Sequence, residues 1–419
     1  MITSITIKNF KSLADFSMPL GQFNCLIGLN GAGKTTVLQA LDFIGHLACG
    51  ITDFREWKKN DLITSGSNQR TLLFQIEILP SPEDFARIRE NGCPFLHEDR
   101  LVWFGRYNID RQRFTEEFIS SAVSNGSIYL ALKDNNLSYL SNAPIPAPTP
   151  GDIVLPLPLT NTDFFRKDIS FSDIALKGSV LSIIKNAHPF IMLVQKELQS
   201  LKSLELLTPN TLRRASQPNY ALGLSGEGLP GFLSTMNNDD AQKLAKTLQE
   251  FYPTVQRYEI KRKKFGWKDI LIREGFFKNP ISSEHINDGY LRILAMLSQK
   301  YSGASFLLFD EIENGINQEL IEKLLDQLQD FNGKQVLVTT HSALVLNYLT
   351  DKAARDSVIF LYKDTNGYTK AVQFFKLPEM EEKLKLLGPG EVMSDTNLEA
   401  LSAELAERDK REDQSCTSC

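Results

Sequence analysis

The stretch CLIGLNGAGKTTVLQAL (Cys25–Leu41) decides the fold. It holds Gly28, Gly33, Lys34 and Thr35 at the spacing G-x-x-x-x-G-K-[ST]. An apolar run, Phe23–Ile27, enters it, and TTVLQALDFI leaves it with apolar residues at helical spacing. Strand, glycine loop and helix in that order make a phosphate cradle: the glycines turn backbone N–H groups inward, and the helix start adds its positive end. Lys34 is expected to reach the β- and γ-phosphates of a nucleotide, and the Thr35 hydroxyl to ligate Mg²⁺.

Two later stretches complete the pattern. GASFLLFDEIENGIN (Gly303–Asn317) is an apolar run ending in Asp310–Glu311, as expected of a central parallel strand buried on both faces. Asp310 would hold the metal beside the phosphate loop. Glu311 would act as general base on the attacking water. KQVLVTTHSALVLNYL (Lys334–Leu349) is a second such strand, ending in Thr339-Thr340-His341-Ser342. His341 there is positioned to report the γ-phosphate. A third stretch, SSEHINDGYLRILAML (Ser282–Leu297), sets Asn287 as the N-cap of a helix with Gly289 in its first turn, which is an anion-binding arrangement.

Bulk properties exclude several classes. A net charge of −5 offers no global basic field for nucleic acid. The five cysteines, Cys25, Cys49, Cys93, Cys416 and Cys419, form neither a disulfide framework nor a zinc site, which fits a cytoplasmic protein. The N-terminus alternates like a strand rather than a signal peptide, and no apolar run is long enough to span a membrane.

At these residues the chain resembles the ABC-type ATPases of the SMC/RecF/OLD branch. More closely, it resembles the stand-alone "AAA family ATPase" proteins of bacterial genomes, many of them from anti-phage defence and abortive-infection systems. The segments that carry the resemblance are ITIKNFKSL, GLNGAGKTT, INDGYLR, LLFDEIENGIN and VLVTTHS, with LSGEGLPGFLSTM (Leu224–Met236) beside them. The resemblance implies an α/β P-loop head with a mixed sheet, helices on both sides and an antiparallel β subdomain. It implies ATP and Mg²⁺ as ligands. Lys11 and Ser12 would touch the nucleotide from the first strand, and Asn30, Gly31, Ala32, Gly33, Lys34, Thr35 and Thr36 would wrap its phosphates. Asn287, Asp288 and Gly289 would be a signature acting in trans on the nucleotide of another subunit, and Asn314 and Gly315 a D-loop at the dimer interface. The chain departs from the family pattern in having Asn287 where Ser is usual. It also lacks the Pro and His that usually follow the metal-binding Asp. AAA+ machines would need an arginine finger and a lid with a sensor Arg; a signature-like turn ahead of Asp310 is ABC order. Gln75 is the candidate for a Q-loop.

The expected organisation has four parts. Residues 1–140 carry the phosphate loop and antiparallel strands, and 141–255 a Pro-rich linker (Ser141–Thr160) and a short inserted helical lobe without sustained heptads. Residues 256–375 carry the signature, Asp310 and His341, and 376–419 a charged helical tail. No Toprim-like acidic cluster follows the ATPase, and His46, His97, His188 and His285 sit in unrelated contexts, so no nuclease centre is expected in this chain. The leading expectation is an ATPase forming an ATP-dependent head-to-head dimer or higher homo-oligomer, acting through a separate effector such as a nuclease or toxin, with no membrane partner. The alternative is a RecF/SMC-like DNA-binding ATPase in DNA repair, with KRKKFGWK (Lys261–Lys268) as its basic run.

Overall fold

Strand Phe23–Gly28 is buried along its whole length because both faces of its sheet are covered. Its residues alternate between two cores: Leu26 enters one, Cys25 and Ile27 the other. The six-stranded sheet runs Leu201–Leu204, Phe306–Phe309, Gln335–Thr339, Phe23–Gly28, Val358–Lys363, Thr369–Gln373. The first five are mutually parallel and the last joins antiparallel. This is the mixed sheet that the resemblance implies, with the continuous apolar runs as its buried parallel strands. The computed structural model describes residues 1–53, 58–90, 100–122, 128–133, 135–141, 165–170, 177–204, 207–331 and 333–416.

Helix Lys34–Ala48, which leaves the phosphate loop, lies between this sheet and a second one. The second sheet has eight antiparallel strands, in the order Leu13–Pro19, Ile2–Phe10, Thr71–Ile78, Leu101–Asn108, Arg113–Ser121, Ile128–Lys133, Asn136–Ser141, Phe165–Ser170. Phe43 fixes the helix against it, its ring 5.5 Å from Phe10, 6.0 Å from Phe74 and edge-on to Tyr107 at 5.7 Å. Strand Thr71–Ile78 alternates, with Leu72, Phe74, Ile76 and Ile78 buried toward the helix. Gln75 is therefore on the opposite face, paired with Thr6 and Phe104, and does not reach the phosphate loop as a Q-loop would.

Helices Asn238–Phe251, Asp288–Ser298 and Gln318–Gln329 cover the other face of the mixed sheet, sharing a core with Cys25, Ile27, Phe309 and Val338. By its leucine spacing LQSLKSLELL (Leu198–Leu207) is expected to continue a helix of the inserted lobe, and the structure differs. Helix Pro189–Gln199 ends at Ser200, and Leu201–Leu204 is a strand paired in parallel with Phe306–Phe309. Leucines three apart suit a helix locally, but pairing at the sheet edge overrides that preference. The Pro-rich linker lies, apart from Ser141, outside the described residues. After His341 the chain closes the sheet with a hairpin, Val358–Lys363 and Thr369–Gln373. The terminal helix Leu398–Cys416 is tied back where the Tyr362 hydroxyl donates to Asp409 Oδ2 at 2.7 Å. Among the described residues no helix is long and apolar enough to cross a membrane.

Candidate nucleotide site

The phosphate loop leaves Phe23–Gly28 at the carboxyl edge of the parallel strands, where loops from neighbouring strands converge. Gly33 opens helix Lys34–Ala48 with φ 110°, a left-handed value that glycine tolerates. A Cβ there would run into Thr369 Oγ1. Thr369 is the knot of this corner: its hydroxyl donates to Ala32 O at 2.9 Å and accepts from Lys363 Nζ at 2.9 Å. The Ser12 hydroxyl lies 2.8 Å from the same oxygen. The first strand's turn, the phosphate loop and the last hairpin are thus joined. Lys11, in left-handed backbone at φ 48°, donates from Nζ to Gln39 Oε1 at 2.6 Å. With Ser12, Asp61, Asn366 and Tyr368 it lines a cleft of about 400 Å³ beside the loop. Asn30, Gly31 and Thr35 are exposed, Thr36 is half-buried and Ala32 is buried.

Lys34 Nζ donates to Gly28 O at 2.8 Å and Leu29 O at 3.3 Å. Partial burial pushes its pKa below the usual lysine value, while Asp310, Glu311 and Glu313 pull it back up. Strands Phe306–Phe309 and Phe23–Gly28 flank Gln335–Thr339, and their ends meet. Thr35 Oγ1 donates to Asp310 Oδ2 at 2.9 Å. The Thr339 hydroxyl donates to Asp310 Oδ1 and accepts from Glu311 N at 2.9 Å, and Ile312 N donates to Thr339 O at 3.2 Å. Thr35 and Asp310 present two hard oxygen donors side by side, which fits Mg²⁺: that ion keeps waters and phosphate oxygens and needs few protein ligands. Among the described residues no cluster of three or more His, Cys, Asp or Glu gathers elsewhere as a metal site.

The turn after Asp310 is held by side chains. Glu311 sits at φ 47°, and Asn314 Nδ2 donates to its Oε2 at 3.2 Å. Glu313 Oε1 accepts from the backbone N of His341 at 3.1 Å and lies 3.3 Å from its Nδ1. Burial raises the pKa of the Cys25 thiol behind this turn, and the charge of Glu313 adds to the effect.

Helix Asp288–Ser298 packs on the same turn. Asn287 caps it, its Oδ1 accepting from Gly289 N at 2.8 Å and Tyr290 N at 3.4 Å. Arg292 Nη1 donates to Asn314 O at 2.6 Å. A Cβ on Gly289 would stand 2.8 Å from Gly315 O, so the backbones of the two turns expected to be signature and D-loop lie against each other within one chain. Any side chain at position 289 would displace that contact. Asn287 and Asp288 are exposed, and no hydrogen bond or ion pair joins them to Lys34 or Thr35 among the described residues. Arg213 brackets the turn, pairing with Asp288 and donating to Ser283 O at 3.1 Å and Ile286 O at 2.7 Å.

Reading the sequence did not single out Glu313, Thr369 or Arg213. Glu313 had a weak signal, as a second acidic residue two positions after Glu311. Thr369 and Arg213 had none, because their partners lie far along the chain.

The profile of a family described as "AAA domain, putative AbiEii toxin, Type IV TA system" matches residues 23–347. A segment of 56 residues is 46% identical to an OLD nuclease of Thermus scotoductus, covering 13% of this chain and 11% of that protein. Another, of 46 residues, is 44% identical to the DNA replication and repair protein RecF of Photorhabdus laumondii, covering 11% of this chain and 13% of that one. The chain thus matches only a small part of the length of these relatives. Among solved structures, an SmcHead bound to the C-winged helix domain of ScpA superposes with a TM-score of 0.53 at 15% identity, covering 88% of this chain and 97% of that one. An Smc head domain with an extended coiled coil, bound to the C-terminal domain of ScpA from Pyrococcus furiosus, gives 0.53 at 13%, covering 92% and 99%. At such identities the likeness is one of fold.

Proposed function

The chain belongs to the AAA_21 family, with the head fold of SMC-type ABC ATPases, and on that premise we propose that it is a Mg²⁺-dependent ATPase that assembles around ATP. The observation that supports this most is the convergence of Lys34, Thr35, Asp310, Glu311 and His341 at the carboxyl ends of three adjacent parallel strands. In this reading Asn30, Gly31, Ala32, Gly33 and Thr36 wrap the phosphates with Lys34, and Lys11 and Ser12 border the nucleotide. Thr35 and Asp310 would hold Mg²⁺, which when bound offsets phosphate charge. Glu311 takes the proton of the attacking water, and His341 faces the γ-phosphate.

The turn at Asn287, Asp288 and Gly289, whose first two residues are exposed and whose glycine is buried, serves a second copy, with Asn314 and Gly315 at the seam between copies. ATP then acts as interfacial glue and hydrolysis as release, so nucleotide state sets assembly state. With no second catalytic centre evident among the described residues, the output passes through a partner. We infer a cytoplasmic sensor or scaffold for a separate effector, a nuclease or toxin, in bacterial anti-phage defence. The division into residues 1–140, 141–255, 256–375 and 376–419 is kept as the proposed domain organisation.

A second reading, a DNA-binding ATPase in repair, is favoured by one observation. The hairpin Val255–Arg262/Lys268–Glu274 carries Lys261, Arg262 and Lys264 exposed at its tip beside Phe265, which is 90% exposed. One experiment addresses both. Glu311→Gln is expected to bind ATP without turning it over and to elute from size exclusion as an oligomer with ATP and as a smaller species without it. Elution at one size in both conditions defeats ATP-gated assembly. Duplex DNA added to the run and co-eluting with the protein would shift the balance to the second reading.

A further inference from the structure

We propose that Glu313 is the positioning residue of His341, holding its imidazole toward the nucleotide through a clamp on one carboxylate oxygen. The inference rests on the ATPase reading and adds to it a residue outside the phosphate loop, the metal pair and the general base.

The geometry is specific. Glu313 Oε1 meets both the backbone N–H of His341, at 3.1 Å, and its Nδ1, at 3.3 Å. One acceptor gripping the main chain and the ring of the same residue fixes the ring's direction as well as its place. A carboxylate on Nδ1 holds the proton there and presents Nε2 outward. The exposures agree: the Glu313 side chain is 15% exposed and that of His341 57%, so the ring is anchored at its base and open at its far edge.

Glu311 does not compete for this role, because its Oε2 takes the Asn314 amide at 3.2 Å. Glu311 and Glu313, two of the three carboxylates of the Asp310–Asn314 turn, therefore have separate tasks. Glu313 is also costly where it stands. Its Oε2 is buried and meets no hydrogen-bond donor among the described residues. A carboxylate oxygen in that condition destabilises the fold rather than supporting it. Its charge also acts at longer range on Lys34, but among the described residues the hydrogen bond and ion pair that use the carboxylate are those to His341.

The test uses the full-length protein with ATP and Mg²⁺. Glu313→Ala is expected to lower kcat by about 10- to 100-fold with KM little changed, the loss typical of a misplaced group rather than a lost binding contact. Glu313→Gln, which keeps the accepting oxygen, is expected to recover most of that loss. Glu313→Ala/His341→Ala is expected to be no slower than His341→Ala alone, since a clamp has nothing left to position. Losses that multiply in the double variant, or Glu313 variants with wild-type kcat, overturn the proposal. If Glu313→Ala is poorly folded, Glu313→Gln and its double with His341→Ala give the same comparison.

A second readout does not require turnover. In protein labelled with ¹⁵N in its five histidines, the His341 ring is expected to show one Nδ1–H tautomer, and averaging of the two in Glu313→Ala. A wild-type protein that hydrolyses no ATP overturns the ATPase reading, and the tautomer then decides the clamp. An unchanged tautomer overturns the clamp alone.

Discussion

The eight-stranded sheet and the edge of the mixed sheet each hold a carboxylate with a buried oxygen, and the two are built in opposite ways. In the antiparallel sheet Glu117 is fully buried. Trp103 Nε1 donates to its Oε1 at 2.9 Å, Ser179 Oγ at 2.5 Å, and Val180 N to Oε2 at 3.0 Å. Every donor is local to the fold, and together they tie the turn at Ser179–Val180 to strand Arg113–Ser121. At the edge of the mixed sheet Glu313 spends one oxygen on His341 and leaves the other unpartnered. A satisfied buried acid is part of the structure, whereas a half-satisfied one at a cleft is strain kept for another purpose. On the proposed function the antiparallel sheet serves as scaffold, and the carboxyl edge of the mixed sheet carries the chemistry.

The strongest way to break this contrast is to remove Glu117. Glu117→Ala leaves three buried donors without an acceptor and should cost about 4 kcal/mol at pH 5, where no charge is relieved by the change. The folded fraction should turn over ATP at the wild-type kcat. Urea unfolding followed by fluorescence measures the first and steady-state assay the second. A stable variant with depressed kcat would assign Glu117 to the site and erase the distinction between the sheets.

The same contrast explains what could be read in advance. The phosphate loop and the strands that end at Asp310 and His341 are written in local pattern: glycine spacing, an apolar run, a polar residue at its end. Their geometry is backbone geometry, so Gly28 to Thr36, Asp310 and His341 can be named from residue order alone. The contacts that hold them cannot. Thr369 reaches Ala32, Glu313 reaches His341, and Arg292 reaches Asn314 through side chains from distant positions. No periodicity records such pairs. Leu201–Leu204 was obscured for a related reason, since its identity as a strand comes from Phe306–Phe309 beside it.

A somewhat smaller effect comes from pH. Burial pushes Glu117 from 4.5 up to about 7, its three hydrogen bonds opposing the shift. Folded protein thus keeps a proton that the unfolded chain has released, so this group's stability contribution falls as pH rises from about 4.5 to 7, by about 3 kcal/mol in all. His188 acts oppositely in the same layer. Burial lowers it from 6.5 to about 3, so its contribution is lost as pH falls below 6.5. The two partly cancel in the wild type, and Glu117→Gln separates them. The stability of that variant relative to wild type is expected to climb steadily between pH 4.5 and 7 and then level off. A difference independent of pH would mean that Glu117 is ionised throughout, and the scaffold reading of its burial would fail.

The smallest effect sharpens the site's half of the comparison. Asn314 donates to Glu311 through its side chain and accepts from Arg292 through its carbonyl, so it links helix Asp288–Ser298 to the proposed base. Asn314→Ala removes only the first of these contacts. Glu311 already sits in left-handed backbone at φ 47°, which limits how far it can drift. A loss of about 10-fold in kcat, or roughly 1.4 kcal/mol, is therefore expected, with ATP affinity and melting temperature unchanged. Asn314→Asp tests whether the donor or the volume matters, since it keeps the shape, offers no N–H and sets a second negative charge against Glu311. It should be slower than Asn314→Ala. If Asn314→Asp is instead the faster of the two, the amide is only filling space, and the turn after Asp310 holds its base by backbone alone, as the phosphate loop holds its own shape.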